Sequence, residues 1–217
     1  MFRPLCICAE IPVFDLKTKI VVLMHWREDK LTTNSARLAC MALTNSSLHQ
    51  RGRIDGRLQT EKLITPGESA ALLFPTEDSI ELTEETASRL ARPLTLFVPD
   101  GSWRQAQKVS RREPALKDIP RLRVPLGLPS TYRLRHSPHP QNLSTFEAIA
   151  RALGVLEGPE VQAKLEKLFL TMVERRLWSR GTLNIKDCTT TIPEAALEAA
   201  RIAGAAGSKR VSRKIEE

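Results

Sequence analysis

Four short constellations carry the residue types that do chemistry. The first is Asp100-Gly101-Ser102-Trp103. It follows an apolar run, so its carboxylate falls at the end of a buried strand, and Gly101 allows a ligand close to the backbone. A carboxylate so placed sits where open sheets bind ligands. The competing reading is structural: Asp100 or Ser102 caps the next helix and Trp103 is core. The second is Leu143-Ser144-Thr145-Phe146-Glu147-Ala148. Ser144 with Glu147 three residues on forms a capping box, which suffices to explain both residues; a functional role needs a ligand at this helix end. The third is His25-Trp26-Arg27-Glu28, followed by Thr33-Asn34-Ser35-Ala36-Arg37. His25 and Glu28 either position a substrate or hold a loop. Arg37 either meets a carboxylate or phosphate bidentately or is an ordinary surface arginine. The fourth is Tyr132-Arg133-Leu134-Arg135-His136, a phosphate clamp or a solvated loop.

Several common chemistries find no support. The sequence holds no Walker loop, G-x-G-x-x-G, H-E-x-x-H or G-x-S-x-G. Of the four cysteines, Cys6 and Cys8 form C-x-C, Cys40 sits in an apolar helical pattern as core, and Cys188 is alone. No second close pair completes a four-thiolate zinc site, and no metal is expected. In a reducing compartment no structural disulfide is expected either.

The elements that must position these residues follow from hydrophobic pattern. Residues 19–25 form a short continuous apolar run, which fits a buried strand. Further strands are read at 70–74, 94–98 and 121–124, the first two of these stopped by Pro75 and Pro99. Helices are read from Thr33-Asn34 onward, with Leu38, Met41 and Ala42 on one face, and over 83–90 and 103–111. Residues 50–68 read as a loop with a short helix. Phe146, Ile149, Ala150 and Leu153 repeat at helical spacing and predict a helix over 144–157. Gly158-Pro159 breaks it, and another helix is predicted over 160–178. Strands alternating with helices predict an α/β fold, a mainly parallel sheet flanked by helices. Such sheets bind ligands outside the carboxyl ends of their strands. The chemistry is therefore expected just after Phe74, just after Val98 and near Ser144.

Composition narrows the partner. The chain has 217 residues, 41% hydrophobic and 27% charged, with a formal net charge of +8. This excludes a mostly disordered chain and is ample for a sizeable core. No apolar run approaches the roughly 18 residues of a membrane span, and the start lacks the apolar segment of a secretory signal, so the expectation is cytoplasmic. The charge is concentrated. Residues 51–99 carry six Lys or Arg against eight Asp or Glu, whereas residues 101–135 carry nine basic residues opposed only by Glu113 and Asp118. Such clustering is the footprint of phosphate contacts and points to nucleic acid; a solvated basic face is the plainer alternative.

In this order, the constellations resemble the DTW-domain family, named for an Asp-x-x-Trp element and matched by Asp100 to Trp103. The C-x-C-x3-P start (Cys6, Cys8, Pro12) is similar too. So are His25, Glu28, Thr33 and Asn34 with Arg37 following, Leu73-Phe74-Pro75 after a strand, Tyr132-x-Leu134-Arg135, and Ser144-Thr145-x-Glu147-Ala148. Each motif is weak alone, but six in register over about residues 5–180 are specific. The resemblance implies a tRNA-uridine aminocarboxypropyltransferase that moves the 3-amino-3-carboxypropyl group of S-adenosyl-L-methionine onto N3 of a uridine, leaving methylthioadenosine. It implies a SPOUT-like fold with a C-terminal trefoil knot. Family members often carry a further Cys pair upstream of C-x-C, missing here, so a metal is not carried over. Ser102 stands where Thr is usual and keeps the hydroxyl.

On this reading Asp100 is the catalytic base. The cofactor is expected at Leu73, Phe74, Pro75, Pro99, Gly101, Ser102, Trp103, Leu143, Ser144 and Thr145. The RNA is expected on Arg37, Arg104, Lys108, Arg111, Arg112, Arg133 and Arg135. The alternatives are a SPOUT-type RNA methyltransferase and a non-catalytic RNA-binding protein. Residues 1–202 are expected to form one catalytic domain and 203–217 a basic, flexible tail. The expected partner is tRNA, with no membrane and no evident protein partner.

Overall fold

Strand β1 (Lys19–His25) is buried at its five central positions, as an apolar run between two covered faces requires. The structure, a computed structural model, describes residues 3–53, 58–135 and 141–213. His136 of the fourth constellation and residues 214–217 of the expected tail lie outside the described residues. The chain forms two compact units, Ile11–Phe169 on the one hand and Met1–Glu10 with Leu170–Glu217 on the other.

In the larger unit β1 is followed by α1 (Ala36–Ala42), β2 (Ser46–Arg51), β3 (Ser69–Leu73), β4 (Ile80–Glu81), α2 (Glu84–Ser88), β5 (Leu94–Asp100), α3 (Trp103–Gln107), α4 (Val109–Arg112), β6 (Arg121–Arg123) and α5 (Thr145–Glu157). The six strands form a parallel sheet in the order β2-β1-β5-β3-β6-β4. This is the expected α/β class with a parallel sheet. β5 is buried at all seven positions. Phe97 lies in register with Val21 on one side and Leu72 on the other, and these pack with Leu23, Phe74, Ala106, Val109 and Leu116.

Helix α5 packs against β5 and α1. Its buried stripe is Phe146, Ile149, Ala150 and Leu153, with Phe146 stacked on Phe169 at 4.9 Å. Burying each of these larger side chains contributes about 1.5–3 kcal/mol. The capping box forms as read: Ser144 Oγ accepts from the Glu147 N–H at 3.3 Å, and Glu147 Oε2 accepts from the Ser144 N–H at 2.9 Å. The helix stops at Gly158, whose φ of +127° disfavours a side chain, and Pro159 opens α6 (Pro159–Ser179).

Three elements differ from the sequence reading. Residues 46–51 form an edge strand. Its Ser, His, Gln and Arg residues lack both alternation and an apolar run, because it is covered less than β1. Strand β4 has two residues, too few for any pattern. The single helix read over 103–111 is split at Lys108 into α3 and α4.

The smaller unit packs Leu5, Ile192 and Ala196 with Trp178, Cys188 and Leu197. Glu174 accepts from the backbone and hydroxyls of Thr189 and Thr190, which fixes the turn before α7 (Glu194–Arg213). Helix α7 extends through Arg213 into the stretch read as a tail. Cys6 and Cys8 are exposed thiols with sulfurs 3.0 Å apart. Among the described residues no helix is long and apolar enough to cross a membrane, and no group of three or more metal-ligating side chains is assembled.

A parallel sheet places every strand's carboxyl end on one edge. His25, Leu73, Asp100 and Arg123 therefore end their strands on the same side.

Candidate functional site

Asp100 is the last residue of β5 and is 6% exposed. It caps no helix. Its Oδ1 accepts from Thr145 Oγ1 at 2.6 Å, and its Oδ2 accepts from Asn34 Nδ2 at 2.6 Å. Burial pushes the carboxyl above its ordinary range, and the charge of Glu28 adds to this; the Thr145 and Asn34 hydrogen bonds and the Arg135 cation pull it back.

A second layer holds those donors. Arg135 is ion-paired to Glu28 at 2.9 Å, and its Nε donates to Thr33 Oγ1 at 2.9 Å. The Tyr132 hydroxyl donates to the Thr33 carbonyl, and its ring packs on Phe169. Glu147 does more than close its capping box: it also accepts from Ser130 Oγ and the Thr131 N–H, both at 2.7 Å. All four constellations therefore converge on one strand-end carboxylate.

Two hollows flank the Asp100–Trp103 turn. The first is a mainly apolar cavity of about 350 Å³. Of the residues expected around a cofactor, Leu73, Phe74, Pro75, Pro99, Gly101, Trp103, Leu143, Ser144 and Thr145 line it. Trp103 is a wall and not core: it is 45% exposed, with its ring 5.3 Å from Phe74. Glu81, Arg123, Gln141 and Arg151 add polar groups that the sequence reading did not single out; Glu81 sits on a strand of two residues, too short to recognise. Leu126 and Leu128, on the loop after β6, are almost fully exposed.

The second hollow is a basic cleft of about 700 Å³. Ser102 lines this cleft and not the apolar cavity, together with Arg104, Lys108 and Arg112. Gln105, His25, Trp26, Arg27, Arg51, Gly52 and Arg53 complete it. Gly101 is required at the turn between the hollows. Its φ is +151°, and a Cβ there would meet Gln105 Oε1 at 2.8 Å, the atom that accepts from the Ser102 N–H. The Asp100 side chain itself lines neither hollow.

The remaining expected RNA contacts are dispersed. Arg111 is exposed on α4 and Arg133 on the turn after Tyr132. Arg37 is half exposed and paired with Asp29, and Arg135 is committed to Glu28 and Thr33. Within the basic stretch, Arg121 pairs with Asp78 and Arg123 with Glu81.

Comparison with known proteins gives the following. The DTW domain model matches residues 1–177. A Drosophila melanogaster protein named tRNA-uridine aminocarboxypropyltransferase 2 is 29% identical over 185 residues, which is 81% of this chain and 72% of that protein. Its namesake from Macaca fascicularis is 24% identical over 160 residues, 71% of this chain; the chain spans about half (54%) of that protein's length. The solved structure of a SAM-dependent rRNA acp-transferase from Vulcanisaeta distributa aligns with a TM-score of 0.46 at 22% identity, over 76% of this chain and 85% of the other.

Proposed function

The chain belongs to the DTW-domain family, and from that premise we propose that it transfers the 3-amino-3-carboxypropyl group of S-adenosyl-L-methionine to N3 of a uridine in tRNA, releasing methylthioadenosine. The named activity of its relatives supports this. The observation that carries it is a mainly apolar, strand-end cavity and a basic cleft on the two sides of the turn that begins with Asp100.

The cavity suits the donor. Phe74, Pro75, Trp103 and Leu143 offer flat apolar walls for a purine ring, and Ser144 and Thr145 offer hydroxyls. When bound, the donor supplies an electrophilic carbon on a sulfonium. The protein's own task is then to choose which sulfonium carbon faces the acceptor, by orientation alone. Asp100 takes the N3 proton of the uridine, which is a weak nucleophile until that proton leaves. Burial suits the carboxyl to this role by raising its basicity, while Thr145 and Asn34 fix its orientation. Arg104, Lys108 and Arg112 in the cleft, with the exposed Arg111 and Arg133, carry the RNA backbone.

A SPOUT-like fold with a trefoil knot, a single catalytic domain over residues 1–202 and a cytoplasmic location belong to the same proposal. Incubation with unmodified tRNA and S-adenosyl-L-methionine labelled in the aminopropyl chain tests the function: label is expected on the RNA, and unlabelled RNA refutes it.

A further inference from the structure

The basic cleft combines features that backbone binding alone does not require. Among the described residues its lining includes no carboxylate. Arg51 is spoken for inside the fold, paired to Glu113 at 3.0 Å with both side chains buried, whereas Arg104, Lys108 and Arg112 are exposed along the cleft. In one wall stands Trp26, 37% exposed, with the Arg27 guanidinium 5.3 Å from its ring centre. A tryptophan held at a cleft surface among cations is a stacking platform for a base.

Next to it, His25 Nδ1 accepts from the Arg27 N–H at 3.3 Å. With Nδ1 occupied, a neutral ring carries its proton on Nε2, as a donor. Burial and the charges of Arg51 and Arg27 favour that neutral form. The cleft is kept open beside this nitrogen by Gly52, where φ is +82° and a Cβ would lie 3.1 Å from Nε2. An acidic peptide would satisfy the cations but would leave the indole and the directed N–H without a purpose.

We infer that this cleft seats one nucleotide of the RNA, its base stacked on Trp26 with a carbonyl facing His25 Nε2–H, and its flanking phosphates on Arg53, Arg104, Lys108 and Arg112. The inference rests on the RNA substrate of the proposed function and assigns the acceptor to a hollow separate from that of the donor. A uracil presents a carbonyl where cytosine presents an amine at the same ring position, so an N–H donor here favours uracil.

The test titrates the full chain with a single-stranded oligouridylate of about ten residues, with uridine monophosphate, and separately with S-adenosyl-L-methionine. Trp26→Ala should weaken oligouridylate binding about ten-fold or more, and Trp26→Phe should restore most of it. Both variants should bind S-adenosyl-L-methionine as the wild type does. His25→Ala should narrow the preference for oligouridylate over oligocytidylate. Unchanged oligouridylate affinity in Trp26→Ala overturns the assignment. So does loss of S-adenosyl-L-methionine binding in that variant, which would place Trp26 in the donor site or the fold. Uridine monophosphate binding as tightly as the oligomer also overturns it, in favour of a free nucleotide. Trp26-dependent RNA binding by a protein that never binds S-adenosyl-L-methionine would instead refute the transferase reading and leave the cleft standing.

Discussion

Thr145 Oγ1 donates to Asp100 Oδ1 at 2.6 Å, tying the first residue of α5 to the last residue of β5 across 45 positions of the chain. The bond joins the wall of the apolar cavity to a carboxylate whose other oxygen is held by Asn34. The orientation of Asp100 and the shape of the donor cavity are therefore set by the same helix end.

Replacing Asp100 by Asn should lower the transfer rate by about two orders of magnitude or more, the usual scale for losing a general base. It should not lower the melting temperature at pH 7. A carboxyl raised by burial stabilises the fold while protonated, and that contribution is lost as pH rises through its folded-state value. The neutral amide escapes this cost. Parallel rate and melting measurements separate the roles: a variant that melts much lower and transfers in proportion to its folded fraction indicates a purely structural carboxylate.

Thr145→Val should move the acid limb of the pH–rate profile to higher pH. The rate needs the ionised carboxylate, and the Thr145 hydrogen bond is the largest effect favouring that form. Asn34→Ala should move the limb in the same direction. The profile is best taken on kcat at saturating donor, because Thr145 also lines the cavity. A limb that stays in place in both variants indicates that another group titrates.

The basic residues should divide into two classes. Arg111→Ala with Arg112→Ala should weaken tRNA binding and flatten its salt dependence, by about 0.7–0.9 in log–log slope per lost phosphate contact. Arg121→Ala should leave both nearly unchanged, because Arg121 is engaged with Asp78. S-adenosyl-L-methionine affinity should be the same in all of these. Equal losses from both classes would show that charge acts without regard to place.

Glu113→Ala should destabilise the fold by about 3–5 kcal/mol, because it leaves the buried Arg51 cation without its partner. Chemical denaturation measures this directly. A loss under about 1 kcal/mol would mean that the pair behaves as an exposed one.

The legible parts of this fold are those where one local rule decides the outcome. β1 and β5 announce themselves because strands covered on both faces must be apolar throughout. Helix α5 does so by its stripe, its capping box and Gly158. Residues 46–51 do not, because an edge strand tolerates Ser, His and Gln. At the site, strand-end placement pointed to the right loops, and the resemblance to the DTW-domain family was needed to nominate Asp100 and the nine expected residues that line the apolar cavity. The partner of Arg135 was not legible. Its ion pair with Glu28 and its bond to Thr33, 102 positions away, are products of tertiary structure, and a run of cations looks the same whether it faces phosphate or an internal carboxylate. Trp26 was visible only as a letter within a motif; its exposure among cations is a property of the folded cleft.

The most direct test of the central claim is the identity of the co-product. Quantifying the nucleoside released while tRNA is modified should give methylthioadenosine, one molecule for each uridine altered. S-adenosylhomocysteine in its place would mean that the methyl carbon faces the acceptor, and would contradict the account.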